Sequence, residues 1–188
     1  GAGRDFNVFT VVDDSGILHQ RKIVTATVFE MNSIANELIS RYGIQQVKVD
    51  CTGGFGSGVC DMLDLNPMLD VRRVNFSQKA TDVGEEGKRG CDLYANARAE
   101  MYFDLAQKCR DGFYIDKKES ELLKQLKAQS YFINKSGKSQ LLEKDEIKKI
   151  IGCSPDSSDS LALATYLRND VSVMKADANV FYKPNRTY

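Results

Sequence analysis

The 188-residue chain has no tryptophan, a single histidine (His19) and only three prolines. One imidazole removes most Ser-His and Cys-His nucleophilic mechanisms. Its five cysteines (Cys51, Cys60, Cys91, Cys109 and Cys153) form no Cys-x-x-Cys pair, which removes a Cys/His zinc site as well. Their odd number reads as reduced, mostly buried thiols of a cytosolic protein. No apolar run approaches the ~20 residues that span a bilayer, and no charged start leads into an apolar stretch in the manner of a secretory signal. An excess of one charge is missing too. There are 26 basic and 26 acidic residues, and even the Lys-rich stretch from Lys79 to Lys149 holds 15 Lys or Arg against 13 Asp or Glu. Composition alone therefore does not argue for DNA. Any hydrolytic chemistry must rest on carboxylates and metal.

What is present suits one soluble domain with a substantial core: 42% hydrophobic and 28% charged residues. The opening Gly1-Ala2-Gly3 without methionine suggests an excised domain or a processed chain. Phe6 to Val12 and Ile17 to Val28 are strand-like runs around an Asp13-Asp14-Ser15-Gly16 turn, and His19 falls within the second in a structural or surface role. A helix follows over Glu30 to Tyr42, closed by Gly43. Gln46 to Asp50 is a strand ending on a carboxylate, Gly53 to Gly58 a glycine-rich loop, Val59 to Leu65 a short helix, and Val71 to Phe76 another strand. Beyond a polar loop from Ser77 to Gly90, the spacing predicts helices over Leu93 to Arg110 and Glu119 to Leu126. A hairpin around Lys135-Ser136-Gly137-Lys138, a Lys-rich helix from Lys144 to Ile151, and a last helix from Pro155 to about Arg168 complete the pattern.

Two segments carry candidate chemistry. Asp50 ends its strand at a glycine-rich loop, the place where open α/β sheets gather ligands; capping of that turn is the competing reading. The loop lacks a following Lys-Ser/Thr and does not fit G-x-G-x-x-G, so it is not a nucleotide cradle. Asp156 and Asp159, three apart on the first turn of the last helix, share one face next to the small residues Ala162 and Ala164. Acids also cap helix starts for electrostatic reasons alone. If these acids converge with Asp50 they repel one another unless a cation lies between them, and an oxygen-rich, histidine-poor site suits Mg²⁺ or Mn²⁺. A third segment, Tyr94 to Tyr102, places Asn96, Arg98 and Glu100 on different helix faces, with Arg98 and Tyr102 an ordinary i,i+4 surface pair.

In order along the chain, several motifs resemble the nuclease domain of phage large terminase subunits, a branch of the RNase H-like superfamily. They are Gly1-Ala2-Gly3-Arg4-Asp5 before a strand, Val49-Asp50-Cys51-Thr52-Gly53 with Gly56 and Gly58, Asn96 to Tyr102, Lys144-Asp145-Glu146, and Ser154-Pro155-Asp156 through Asp159-Ser160-Leu161-Ala162. Ser160 stands where the family usually has alanine. The resemblance implies an α/β fold, an RNase H-like mixed sheet flanked by helices with an added small β-hairpin, over residues 1–170, and a C-terminal tail over 171–188. It implies an endonuclease that cuts concatemeric double-stranded viral DNA with two Mg²⁺ or Mn²⁺ ions. Asp50 and Asp159 become metal-binding catalytic carboxylates, with Asp156 beside them and Asp5 auxiliary. Lys135, Lys138, Lys144, Lys148 and Lys149 become contacts to the DNA backbone.

The same resemblance implies portal protein and small terminase subunit as partners, the cytoplasm of an infected bacterium as location, and no membrane association. In the family a strand ending on the first carboxylate precedes the Gly-rich turn, and an ATPase domain precedes the nuclease. Both are expected to be absent here, leaving a sheet short of one strand. A Holliday-junction resolvase-like nuclease and a catalytically inactive RNase H-like module that docks DNA or a portal ring are the competing readings.

Overall fold

The computed structural model describes residues 6–24 and 26–166. Strands β1 (Asn7–Val12) and β2 (Ile17–Ile23) pair antiparallel. Their turn is held by Asp13, whose Oδ1 accepts the N–H groups of Ser15 and Gly16 and the Ser15 hydroxyl. The second strand stops well short of Val28 because Thr27 caps a helix instead. Its hydroxyl accepts the Glu30 N–H while the Glu30 carboxylate accepts the Thr27 N–H, a reciprocal cap written in the sequence as Thr-x-x-Glu. Helix α1 (Val28–Tyr42) then ends at Gly43, in the left-handed conformation (φ 63°) that glycine adopts without steric cost. The His19 ring stacks on Tyr42, 5.9 Å between centroids, in keeping with a structural role.

Strands β3 (Gln46–Asp50) and β4 (Asp70–Val74) pair parallel across helix α2 (Phe55–Leu63). That helix begins four residues earlier than its apolar pattern suggests, inside the glycine-rich loop. Gly56 explains the placement: a Cβ there would lie 2.1 Å from the Asp50 carbonyl oxygen, so only glycine lets the helix start abut the strand end. The helix expected from Leu93 to Arg110 is two: a single turn α3 (Gly90–Leu93) and α4 (Ala97–Arg110). Tyr94 is extended between them, and Asn96 caps α4 by accepting the Ala99 N–H at 3.0 Å. Helix α5 (Ser120–Ala128), the hairpin of β5 (Tyr131–Ile133) and β6 (Ser139–Leu141), α6 (Lys144–Ile151) and α7 (Asp156–Thr165) follow close to their sequence positions.

Alternation along β3 divides the interior. Val47 and Val49 join Ala35, Val59, Leu63 and Leu69 in one core beneath α1 and α2. Lys48 faces α7 instead, donating to the Ala164 carbonyl at 2.9 Å. The larger core gathers residues of α4, α5 and α7, among them Met101, Leu105, Leu122, Leu161 and Ala162, on the α7 side.

The mixed sheet expected from the sequence lies in two halves. Among the described residues β1 has a partner only in β2 and β3 only in β4. Between them is a cleft of about 730 Å³, lined by every residue from Phe6 to Asp13 and from Gln45 to Asp50. Neighbouring residues of a strand point to opposite faces, so an unbroken run of lining residues means that the strand edges border the cleft. Helices α7 (Ser160, Leu163, Ala164), α1 (Ala35, Leu38) and α2 (Phe55, Val59, Leu63) contribute further walls.

Leu161 is fully buried at the centre of the larger core. Leu161→Ala is expected to cost about 2–5 kcal/mol of unfolding free energy, measured by urea denaturation. A loss below about 1 kcal/mol would show that α7 is not held by this core.

Candidate active site

Three elements deliver acidic side chains to the cleft: Asp50 from the end of β3, and Asp156 and Asp159 from the first turn of α7. Their environments differ sharply. Asp50 is half-buried and its Oδ1 accepts the Thr52 N–H at 2.8 Å, so the turn-capping role and the cleft-lining position coexist. Thr52 extends the link, since its hydroxyl accepts the Phe76 N–H at 3.0 Å and ties the ends of β3 and β4 together.

Asp156 is committed on both oxygens. Oδ1 accepts the Ser154 hydroxyl at 2.5 Å and Oδ2 accepts the Phe6 N–H at 2.8 Å. It anchors the entry of β1 to the foot of α7, where Ser160 continues the attachment through the Val8 carbonyl at 3.1 Å and the Thr10 hydroxyl at 2.8 Å. Serine at this position, where the resemblance leads one to expect alanine, thus has a structural task.

Asp159 is the most buried of the three, with 4% of its surface exposed. The Tyr102 hydroxyl donates to its Oδ1 at 2.7 Å and Arg98 Nε lies 3.3 Å from the same oxygen. Arg98 is itself buried, donating onward to the Leu142 carbonyl at 3.0 Å and to Gln129 Oε1 at 3.3 Å. The pair read from sequence as a surface contact is therefore interior, with the guanidinium carbon 5.4 Å from the Tyr102 ring centre. Burial beside the Asp159 carboxylate drives the Tyr102 phenol well above its ordinary pKa, so it remains a donor.

Asp159 Oδ2 has no hydrogen bond of acceptable geometry, yet Lys144 Nζ is 2.7 Å away. These observations agree if the ammonium attracts the oxygen by charge while standing out of line for donation. Lys144 also sits 5.0 Å from the centre of the Phe76 ring. A second cavity of about 340 Å³ shares Thr52, Phe76 and Lys144 with the cleft and adds Arg98 and Asp145. The acids thus open onto a continuous concave rim with positive charge on one bank.

Lys48 lines the same cleft, and burial, reinforced by Arg72 and Lys108, pulls its ammonium down to about 8. Of the lysines read as DNA contacts, Lys144 alone lines the cleft. Lys135 and Lys149 are exposed and Lys138 half-buried, and none of the three lines the cleft. Lys148 is half-buried on α6. Asp5 lies outside the described residues, as does the tail from 171 onward.

The donor set fits a hard divalent cation in part. Asp159 Oδ2 is a buried oxygen without a hydrogen-bond donor, and Asp50 faces the same space. Among the described residues, however, no three His, Cys, Asp or Glu side chains are grouped closely enough to hold a metal ion.

No family model and no curated protein matches the sequence. Solved structures do. The nuclease domain of gp2, the large terminase subunit of the bacterial virus Sf6, superposes with a TM-score of 0.70 at 21% identity, over 88% of this chain and 84% of that one. A mutant of the same Sf6 domain, solved with calcium, gives a TM-score of 0.72 at 20% identity over the same shares. The large terminase nuclease of the thermophilic phage G20c, with bound magnesium, gives 0.57 at 20% identity, over 88% of this chain and 76% of that one.

The chain has the fold of the terminase nuclease domains. The RNase H-like α/β architecture expected from the sequence is thereby borne out, with its sheet divided by the cleft. Among the described residues no helix is long and apolar enough to cross a membrane.

Sequence reasoning missed Arg98, Tyr102 and Gln129 as the setting of Asp159. One signal was available: Ala97, Ala99 and Met101 alternate with Arg98, Glu100 and Tyr102 at the start of α4, leaving that turn without the wholly polar face of an exposed helix. Tyr102→Phe is expected to cost about 1.5–3 kcal/mol, because it removes a buried bond to a charged group. Lys144→Met, at a half-exposed ammonium, is expected to cost about 0–1 kcal/mol. Chemical denaturation of both variants checks the order; a larger loss for Lys144→Met would make Lys144 the principal support of Asp159.

Proposed function

We propose that this domain is the metal-dependent endonuclease of a viral DNA-packaging terminase large subunit, hydrolysing phosphodiester bonds of concatemeric double-stranded DNA. The observation that carries the reading is the opening of Asp50 and Asp159, from opposite ends of the sequence, onto one cleft in a fold shared with terminase nucleases. Asp50 and Asp159 would hold Mg²⁺ or Mn²⁺, which supplies an activated water and a counter-charge for the leaving oxygen. Manganese, magnesium and calcium accompany the Sf6 and G20c domains in their structures, which favours this class of ion.

The protein's own groups have separate tasks. Tyr102 and Arg98 fix the Asp159 carboxylate, and Thr52 fixes Asp50. Asp156, with both oxygens engaged, serves as a positioning residue for β1 and α7. Lys144 stands where a backbone phosphate would approach, and Lys135, Lys138, Lys148 and Lys149 extend a basic surface for the duplex. Portal protein and small terminase subunit are the partners this function calls for.

The cleft also bears on the number of acids. Helix α7 runs alongside β1, with Asp156 at Phe6 and Ser160 at Val8 and Thr10, and reaches Lys48 only at Ala164. Its foot is near Thr52 through Lys144, so β3 runs opposite to β1. A strand joined to β1 by a short turn would lie antiparallel to β1 and parallel to β3, and would end at the acidic rim. A third carboxylate on such a strand would complete the metal site.

A plasmid-nicking assay in Mg²⁺ or Mn²⁺ tests the function. Nicking is expected, falling at least a hundredfold in Asp50→Ala and Asp159→Ala variants that retain the wild-type melting temperature. Activity untouched by both substitutions sinks the site assignment. Binding without cutting in all variants favours an inactive docking module, and preference for four-way junctions over linear duplex favours a resolvase.

A further inference from the structure

The half-buried thiol of Cys51 lies 3.8 Å, sulfur to sulfur, from the thiol of Cys60. The two belong to different elements. Cys51 directly follows Asp50 at the end of β3, and Cys60 lies on α2 with none of its surface exposed. The backbone holding them is pinned at several points. Cys51 N–H donates to the Val74 carbonyl at 2.8 Å, its carbonyl accepts the Gly54 N–H at 3.2 Å, and Gly56 packs α2 against the Asp50 carbonyl. A disulfide bond is ~2.05 Å long, so closure needs under ~2 Å of approach by two thiols already in contact. Cys91, Cys109 and Cys153 have no such sulfur neighbour among the described residues.

We infer that Cys51 and Cys60 form an oxidant-responsive dithiol whose closure ties the Asp50 end of β3 to α2. With hydrogen peroxide as oxidant, the Cys51 thiolate attacks one peroxide oxygen, breaks the O–O bond and becomes a sulfenic acid, releasing hydroxide that takes up a proton. The Cys60 sulfur then attacks the Cys51 sulfur, the S–O bond breaks, and water leaves with the Cys60 proton. In total two thiols lose two electrons and two protons, and one peroxide becomes two waters. The order of events follows from exposure: solvent reaches Cys51 and not Cys60. Burial, reinforced by the neighbouring Cys51, pushes the Cys60 thiol up to about 12, which assigns it the resolving rather than the attacking part.

The bond itself does not depend on the nuclease reading; its consequence for Asp50 does. The test uses a Cys109→Ser chain, to remove the exposed thiol that would crosslink molecules. It is treated with hydrogen peroxide, then denatured and blocked with N-ethylmaleimide. The expected result is two fewer adducts than in the untreated chain. Chymotrypsin cleavage after Phe55, between the two cysteines, should leave the fragments joined until a reductant is added. Cys60→Ser should abolish the link. Recovery of both thiols as adducts, accumulation of Cys51 as sulfinic acid, or a link to Cys91 or Cys153 overturns the inference. Amide exchange at Thr52 to Phe55 should slow about tenfold in the oxidised form; unchanged exchange overturns the claim that closure restrains the Asp50 loop. In an active chain, nicking altered by peroxide and restored by reductant, but indifferent to both in Cys60→Ser, carries the effect to the site. The mass and exchange readouts stand even if nicking is never seen.

Discussion

A carboxylate removed from water must be compensated by its neighbours, and much of this domain is arranged around one such group, Asp159. An unpaired buried charge costs several kcal/mol. Here Tyr102 and Arg98 come from α4 and Lys144 from α6, so one acid on α7 draws three helices together. Arg98 spreads the requirement further, to the Leu142 carbonyl after β6 and to Gln129 after α5. The added hairpin is thereby fastened to the foot of α7 by polar contacts that an apolar core could not aim. A purely structural helix start would be satisfied by serine or threonine with far less support. Well-packed apolar residues could replace such an ion pair at no loss of stability, so its retention accords with the metal-binding role proposed for Asp159.

A second buried carboxylate sharpens the contrast. Glu100 accepts the Thr81 N–H and hydroxyl at 2.9 and 3.1 Å and the Tyr166 hydroxyl at 2.5 Å, while a Cβ on Gly90 would collide with it. Every group around it closes on it from the protein, and it lines neither cavity. It ties the long polar loop to α4 and to the end of α7. Two acids on buried networks thus differ in place: Glu100 is sealed, and Asp159 lines a cleft.

Much of this was legible in the sequence because it is local. Gln46 to Asp50, the Lys135–Lys138 hairpin and Lys144 to Ile151 fall where periodicity and turn residues put them. Thr27 with Glu30 marked the helix start, though the valine-rich run toward Val28 concealed it. The early start of α2 was hidden because Gly56 reads as loop from propensity alone; its reason is a close approach to the Asp50 carbonyl that exists only in three dimensions. Asp50 and Asp159 were found by their positions at element ends. Arg98 and Tyr102 were passed over because an i,i+4 pair looks the same whether water or another helix lies beyond it. Asp156 drew attention as an acid on the same turn, and its task proves to be holding the Phe6 amide, a contact across 150 residues.

The charge around the cleft also constrains what can enter it. The cleft is lined by four aspartates, Asp13, Asp50, Asp156 and Asp159, against two lysines, Lys48 and Lys144, so its wall carries a net negative charge. Arg98 is locked by three contacts in the interior, whereas Lys144 is 44% exposed and held by one oxygen and an aromatic face. A divalent cation approaching Asp159 Oδ2 meets an ammonium already 2.7 Å from that oxygen. Two cations of such charge cannot share it at contact distance, since their repulsion at ~4 Å is several kcal/mol even in a partly screened site. Lys144 also lines the second cavity, with Thr52, Glu143 and Asp145, where its ammonium would have room if Asp159 held a cation. On the proposed reading, Lys144, which here neutralises Asp159, would be placed to meet a phosphate if that carboxylate held a metal instead.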